Sequence, residues 1–179
     1  MKKLKNKKEI IYTDRLVLKA FTERDETCVI DMLYHDEIRK TYMVPDFTDR
    51  KLAEELFQKL YSYSRSDAHF VYGIYRDEDL IGFINECDIE EDNVELGYVI
   101  HPRYKGNGYA TEALSACIKE LHRVGFERIT AGFFEENAAS RRVMEKSGMQ
   151  PMNREEDITY RGLVHHCLYY GHEEVGFTP

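Results

Sequence analysis

The chain has 179 residues, a length that suits one domain and can bury a core without disulfides or metals. With 42% hydrophobic and 32% charged residues it is not an intrinsically disordered chain, and no stretch approaches the roughly 18 apolar residues of a membrane span. The net charge is −8, and five of the first nine residues are lysine, so the remainder carries 20 basic against 32 acidic side chains; such a domain is a poor binder of nucleic-acid backbones, and its acidity serves solubility alone or a cationic partner such as an amine.

Residues 1–9 are basic with no apolar run behind them, so they read as a solvated, frayed tail rather than a secretory signal, ahead of a single domain over 10–179. Thr13 to Phe21 alternates through Leu16 and Leu18 as a first strand. Residues 22–37 are mixed and helical, with Val29, Ile30, Met32 and Leu33 as apolar markers. Pro45-Asp46 breaks the pattern, and Thr48 is placed to cap a helix whose Leu52, Leu56 and Leu60 recur every four residues. Strands follow at 69–75 and 80–87, joined by the turn Arg76-Asp77-Glu78-Asp79 as a hairpin. Another strand, 94–100, comes after the acidic turn 88–93.

A loop, Pro102 to Gly108, then leads into an amphipathic helix with apolar positions Ala110, Ala113, Leu114, Cys117, Ile118 and Leu121, stopped by Gly125. Arg128 to Phe134 is a strand. Asn137 caps a short helix ending before Gly148, and 149–157 and 163–170 form a final antiparallel pair. The order is a mixed α/β layer fold, hairpins first and strand–helix alternation second. The four cysteines are spread along the chain without C-x-x-C spacing, as expected of reduced, mostly buried thiols in a cytoplasmic protein. His165-His166-Cys167 resembles a metal motif, but neighbours in a strand point to opposite faces and cannot easily share one ion, so no metal is expected.

The segment 94–113 carries the most chemistry. A strand runs into a two-glycine loop that opens a long helix, so backbone N–H groups and the helix dipole form an anion site. Gly106 and Gly108 remove side chains where a phosphate must approach, and Arg103 and Lys105 add charge. An ordinary connection with glycines for turning reads the same way at this level. There is no G-K-[ST] of a P-loop, and Gly106-x-Gly108-x-x-Thr111 lacks the third glycine of a nicotinamide or flavin dinucleotide fingerprint.

Arg103-x-x-Gly106-x-Gly108, following Val94-Glu95-Leu96-Gly97-Tyr98-Val99-Ile100, resembles the R/Q-x-x-G-x-G/A signature of the GNAT superfamily of N-acetyltransferases. Asn137 to Met149 resembles that family's next helix, and Thr13-Asp14-Arg15-Leu16-Val17-Leu18 resembles the opening of its ribosomal-protein-alanine acetyltransferase branch. The likeness covers roughly residues 12–170. It implies a mostly antiparallel, twisted sheet of about seven strands flanked by helices, with acetyl-CoA as cosubstrate. It further implies that Tyr104, Lys105, Gly106, Asn107, Gly108 and Tyr109 hold the pyrophosphate, with help from Arg103. Tyr98, Val99 and Ile100 would meet the pantetheine arm on a bulged strand that splays from the strand ending at Phe134. A backbone N–H near Tyr98 or Val99 would polarise the thioester carbonyl. Asn137 would contact pantetheine or acceptor, and Ser140 would lie near the sulfur.

The implied chemistry is direct attack by a neutral amine, so the acceptor must lose a proton. Glu95, mid-strand, is the candidate base through water; a solvent-facing glutamate is the plainer reading, and His101 is the alternative base or a mere flank of the loop. Where many relatives place a tyrosine acid, this chain has Met144, which leaves Ser140 to protonate the thiolate unless it only caps its helix, as Asn137 also does. A non-catalytic acyl-CoA-binding regulator on the same fold is the rival function. The acceptor, a protein N-terminus or a small amine, should depend on residues 35–50 and on Tyr160, Tyr169 and Tyr170. The family commonly forms homodimers. Neither nucleic acid nor membrane is expected as a partner.

Overall fold

The computed structural model describes residues 3–44 and 49–173. Eight strands form one sheet: β1 (Ile11–Tyr12), β2 (Val17–Lys19), β3 (Val71–Arg76), β4 (Asp79–Ile89), β5 (Asn93–Ile100), β6 (Arg128–Phe134), β7 (Gln150–Tyr160) and β8 (Leu163–Glu173). Their spatial order is β1-β2-β3-β4-β5-β6-β8-β7, and every pairing is antiparallel except β5 with β6. Among the described residues five α-helices accompany them: α1 (Glu26–Tyr34), α2 (Asp36–Arg39), α3 (Arg50–Ser64), α4 (Tyr109–Arg123) and α5 (Ala138–Lys146).

The expected first strand is two strands, which raises the count from seven to eight. Thr13 makes the break: its hydroxyl accepts the Leu16 N–H at 2.9 Å, closing a turn between β1 and β2. The expected helix over 22–37 divides at His35, whose backbone is extended (φ −71°, ψ 122°) and whose Nδ1 accepts the Glu37 N–H to start α2. Thr48 lies outside the described residues; Asp49 caps α3 by accepting the Leu52 N–H at 3.2 Å. The buried face of α3 is Ala53, Phe57, Leu60 and Ser64, while Leu52 is 41% exposed, so the run of leucines misplaced the stripe.

The sheet separates two cores. On one face α4 packs Ala113, Leu114, Cys117, Ile118 and Leu121 against Val94, Leu96, Ile129 and Ala131 of the strands, and Met144 of α5 joins them. On the other face α1 and α3 pack Val29, Leu33, Phe57 and Leu60 against Val71, Phe83 and Val99. A smaller cluster of Phe134, Cys167 and Tyr169 covers the far end of the sheet. Cys117 and Cys167 are buried as expected, but Cys28 is half-buried and Cys87 exposed; all four are free thiols.

Residues 3–8 pack on the domain rather than fraying. Leu4 is fully buried against the first core. The Lys8 N–H donates to Glu120 at 2.7 Å, and Arg123 donates to the Asn6 carbonyl at 2.6 Å. Lysine content signalled solvent, yet a single leucine and two backbone contacts dock the segment on α4. Leu4→Ala is therefore expected to cost about 2–4 kcal/mol by cavity formation. Urea unfolding measures this, and an unchanged midpoint would restore the frayed-tail reading.

Candidate active site

The site begins with a failure of pairing. β5 and β6 share only Asn93–Arg128, Val94–Ile129 and Glu95–Thr130. Beyond Glu95, β5 stays with β4 as far as Ile100, and β6 stays with β8 as far as Phe134. The two parallel strands therefore part. The expected bulge sits on β4 rather than β5: Glu86 pairs with Leu96 and Asp88 with Glu95, leaving Cys87 as the extra residue.

The loop after β5 closes one side of the gap. His101 caps a single 3₁₀ turn, its Nδ1 accepting the Arg103 N–H at 3.2 Å. Gly106 and Gly108 both have φ of +80°, the left-handed region that favours glycine. A Cβ on Gly106 would meet nothing within 4 Å, so that backbone lies bare. The Glu112 N–H donates to the Gly108 carbonyl at 3.0 Å, starting α4, which leaves the N–H groups of Tyr109, Ala110 and Thr111 at the helix end.

Arg15 braces this loop, a role the sequence did not reveal. Its Nε donates to Glu112 at 2.7 Å, its Nη1 to the Asn107 carbonyl at 3.0 Å, and its guanidinium lies 4.7 Å from the centroid of the Tyr109 ring. Burial works against the Glu112 carboxylate, but hydrogen bonds from Thr13 and Arg15 outweigh it and hold its pKa below the usual range. Across the mouth, Lys105 Nζ lies 3.0 Å from Glu37 of α2, and the hydrogen bond and charge of Lys105 depress the Glu37 pKa.

The gap is a cavity of about 300 Å³. Tyr98, Val99, Ile100, Tyr104, Lys105, Gly106, Gly108, Tyr109 and Asn137, all expected at a cofactor site, line it. Arg103 and Asn107 do not. Arg103 is exposed on the turn, and the Asn107 amide folds back on the carbonyls of Tyr104 and Lys105 at 3.1 and 3.2 Å. Arg142 and Lys146 of α5 do line it. Their i, i+4 spacing, with Ala139 and Val143 alongside, was the available signal for a cationic face. Ile38, Thr41 and Tyr42 complete the wall. Tyr98 and Val99 belong to opposite cores, so the cavity passes through the sheet where the strands part.

Asn137 and Ser140 sit together on this wall. Asn137 Oδ1 accepts the Ser140 N–H at 3.1 Å, capping α5, and its Nδ2 donates to Ser140 Oγ at 3.1 Å. The Tyr98 hydroxyl spans the gap to donate to the Ser140 carbonyl at 3.4 Å, and burial pushes its pKa up to about 12. Met144 is buried in the core and offers no proton.

Glu95 does not line the cavity. It occupies the last paired position before the gap, on the face of Gly97, where a Cβ would sit 2.8 Å from Cys87 Sγ and 3.2 Å from the Tyr42 ring. Its side chain is 18% exposed, and its Oε2 accepts from Arg154 Nη1 at 3.1 Å, so it is not the free solvent-facing glutamate of the plainer reading. Burial raises its pKa, with Arg154 opposing. His101 is poorly suited as a base. Its Nδ1 lone pair already accepts a backbone N–H, which leaves Nε2 carrying the proton in the neutral ring; its pKa is lowered by burial, His35 and Arg103.

On the far face the β7–β8 turn, with Arg161 at φ +53° and Gly162 at +76°, brings the Tyr160 hydroxyl to the carbonyls of Arg39 (2.9 Å), Val44 (3.3 Å) and Tyr42 (3.4 Å). Tyr169 faces Glu95 and Arg154, but Tyr170 points to the opposite face and donates to Glu145 at 3.3 Å, away from Tyr160 and Tyr169. Residues 45–48 of the expected acceptor segment lie outside the described residues.

An acetyltransferase (GNAT) domain family model matches residues 15–150. An uncharacterized N-acetyltransferase of Bacillus subtilis (strain 168), YnaD, is 33% identical over 144 residues, covering 78% of this chain and 82% of that protein. Among solved structures, RimL, a ribosomal L7/L12 α-N-protein acetyltransferase in complex with coenzyme A, superposes with a TM-score of 0.80 at 18% identity, covering 92% of this chain and 98% of the other. The microcin C7 self-immunity acetyltransferase MccE, in complex with acetyl-CoA and AMP, gives 0.79 at 14% identity, covering 90% and 94%. The parted parallel strands, the glycine loop on α4 and these matches together establish that the chain belongs to the GNAT family of N-acetyltransferases.

Proposed function

We propose that the cleft between β5 and β6 binds acetyl-CoA and that the chain transfers the acetyl group to a primary amine, either the α-amine of a protein N-terminus or a small-molecule amine. The observation that carries this reading is the passage through the sheet, with a bare glycine backbone and a helix N-terminus on one side and Tyr42 on the other. The residues fit the cosubstrate. The N–H groups of Tyr109, Ala110 and Thr111 and the α4 dipole attract the pyrophosphate, and Lys105, Arg142 and Lys146 neutralise it. Tyr98, Val99 and Ile100 offer the backbone edge of β5 that β6 has left, to which the pantetheine amides hydrogen-bond. Acetyl-CoA supplies the acetyl group as an activated thioester.

The protein then has three tasks. A backbone N–H near Tyr98 or Val99 donates to the carbonyl oxygen as negative charge develops there. Glu95 receives the acceptor's proton through water; the buried Thr130 hydroxyl, paired in register with Glu95 and without a partner among the described residues, offers a site for that relay. Ser140, held by Asn137, protonates the departing thiolate or orients a water that does so. The excess of acidic residues favours a cationic acceptor.

Calorimetric titration with acetyl-CoA, with NADH as control, tests the cleft. Micromolar binding of the first and none of the second is expected, and absence of acetyl-CoA binding overturns the reading. Gly106→Asp keeps a residue type that tolerates positive φ and meets no protein atom. It should retain the wild-type thermal midpoint and weaken acetyl-CoA by at least about tenfold through charge repulsion. Glu95→Gln should lower kcat by about 10²–10⁴-fold and remove the acid limb of the pH–rate profile; an unchanged profile clears Glu95 of base duty. Ser140→Ala should reduce kcat more than it weakens acetyl-CoA binding, and equal loss of both makes it structural.

A further inference from the structure

β7 and β8 run out of step between Pro151 and Glu155. Pro151 pairs with Tyr170 and Glu155 with Leu168, so β7 spends two more residues than β8 over the same span. An irregularity of this kind re-aims side chains, and here it delivers Arg154. Its guanidinium lies on the Tyr169 ring, 3.7 Å from the centroid. From there Nη1 reaches Glu95 of β5 at 3.1 Å, and Nη2 lies 3.7 Å from Glu156. The Tyr169 ring is itself tethered, its hydroxyl donating to Glu156. The ring can lie over β6 because its register partner there is Gly132; a Cβ at that position would sit 2.8 Å from the Tyr169 ring. A side chain from the edge of the sheet thus crosses two strands to hold one carboxylate.

We propose that Arg154 is a positioning residue for acetyl transfer, which clamps the Glu95 carboxylate where β5 and β6 part and keeps it ionised to receive a proton. The proposal rests on the reading of Glu95 as the base. A protonated Glu95 accepts nothing, and its surroundings push it that way: burial first, then the charges of Asp88 on β4 and Glu156 on β7. Cys87 on β4 and Cys167 and Tyr169 on β8 also face it, all with pKa values raised chiefly by burial and further by Glu95, and so neutral beside it. Arg154 opposes these influences with both its charge and its hydrogen bond. Arginine suits the task because its planar fork stacks on a ring and donates to a carboxylate at once.

The sign follows. Without the cation, the Glu95 proton affinity rises further, a larger fraction is protonated at any given pH, and turnover is lost most at low pH. The direct test is a carboxyl NMR titration of the full chain labelled with ¹³C-glutamate, Glu95 being identified by the signal missing from Glu95→Gln. In Arg154→Gln the Glu95 midpoint should move upward, and in Arg154→Lys, which keeps charge without stacking, it should return toward wild type. With acetyl-CoA and either a free-N-terminus peptide or spermidine as acceptor probe, kcat of Arg154→Gln should fall by about tenfold at pH 6 and recover toward pH 8, with KM for acetyl-CoA unchanged. A midpoint that does not move, or a kcat loss independent of pH, overturns the clamp. If the midpoint moves but Glu95→Gln turns over at the wild-type rate, the base reading fails instead, and with it any part for Arg154 in turnover.

Discussion

Three paired positions between β5 and β6, ending at Glu95–Thr130, are the constraint from which the site follows. These two strands are the one parallel pair in the sheet, and a parallel pair needs a crossover, which α4 provides. Backbone groups of β5 beyond Glu95 and of β6 beyond Thr130 lose one another, and buried backbone groups do not stay unpaired. A ligand with amides along its length is one way to satisfy them, and the helix end that the crossover must place beside the gap is suited to a ligand with phosphates. Both halves of the binding chemistry come from one topological decision, before any catalytic side chain is considered.

The rest of the site is electrostatic bracing of that gap. Glu112 sits in the first turn of α4, where a carboxylate is favoured by the dipole, and it ties Thr13 and Arg15 from the start of the sheet to the glycine loop. Glu37 and Lys105 join α2 to the same loop across the mouth, but both are well exposed, and such a pair contributes little to stability. The Glu112 network is more sheltered and is the better candidate for holding the loop in shape. Arg154 and Glu95 do on the far side of the sheet what Arg15 and Glu112 do on the near side.

What could be read from the residues was local. The glycine loop, the apolar stripe of α4 and the Asn137 cap depend on positions within a few residues of one another, and each stands where its pattern put it. The first strand was misread because one threonine hydroxyl, not a glycine or proline, makes its turn. The N-terminal segment was misread because five lysines outweighed one leucine. Arg142 and Lys146 were legible as an i, i+4 pair but carried no signal that their face met a cavity. Glu95 is singled out by its strand position, yet its partner lies 59 residues away across an irregular pairing, and no periodicity encodes that. Tyr170 shows the opposite lesson: strand alternation alone, once the register is known, separates it from Tyr169.

Tyr160 stands at the tip of the β7–β8 hairpin. Its hydroxyl touches the carbonyls of Arg39, Tyr42 and Val44, so the segment that supplies the Ile38, Thr41 and Tyr42 wall of the cavity is anchored to the tip of the β7–β8 hairpin and not only to its own helices. The hairpin tip, with Leu163 and Val164 exposed beyond it, is free to change sequence without touching the cofactor loop. Drift at that tip would reshape this wall of the cavity remotely while leaving the glycine loop intact. Under the proposed function, chains sharing the glycine loop can thus diverge in the amine they take through residues that never meet it.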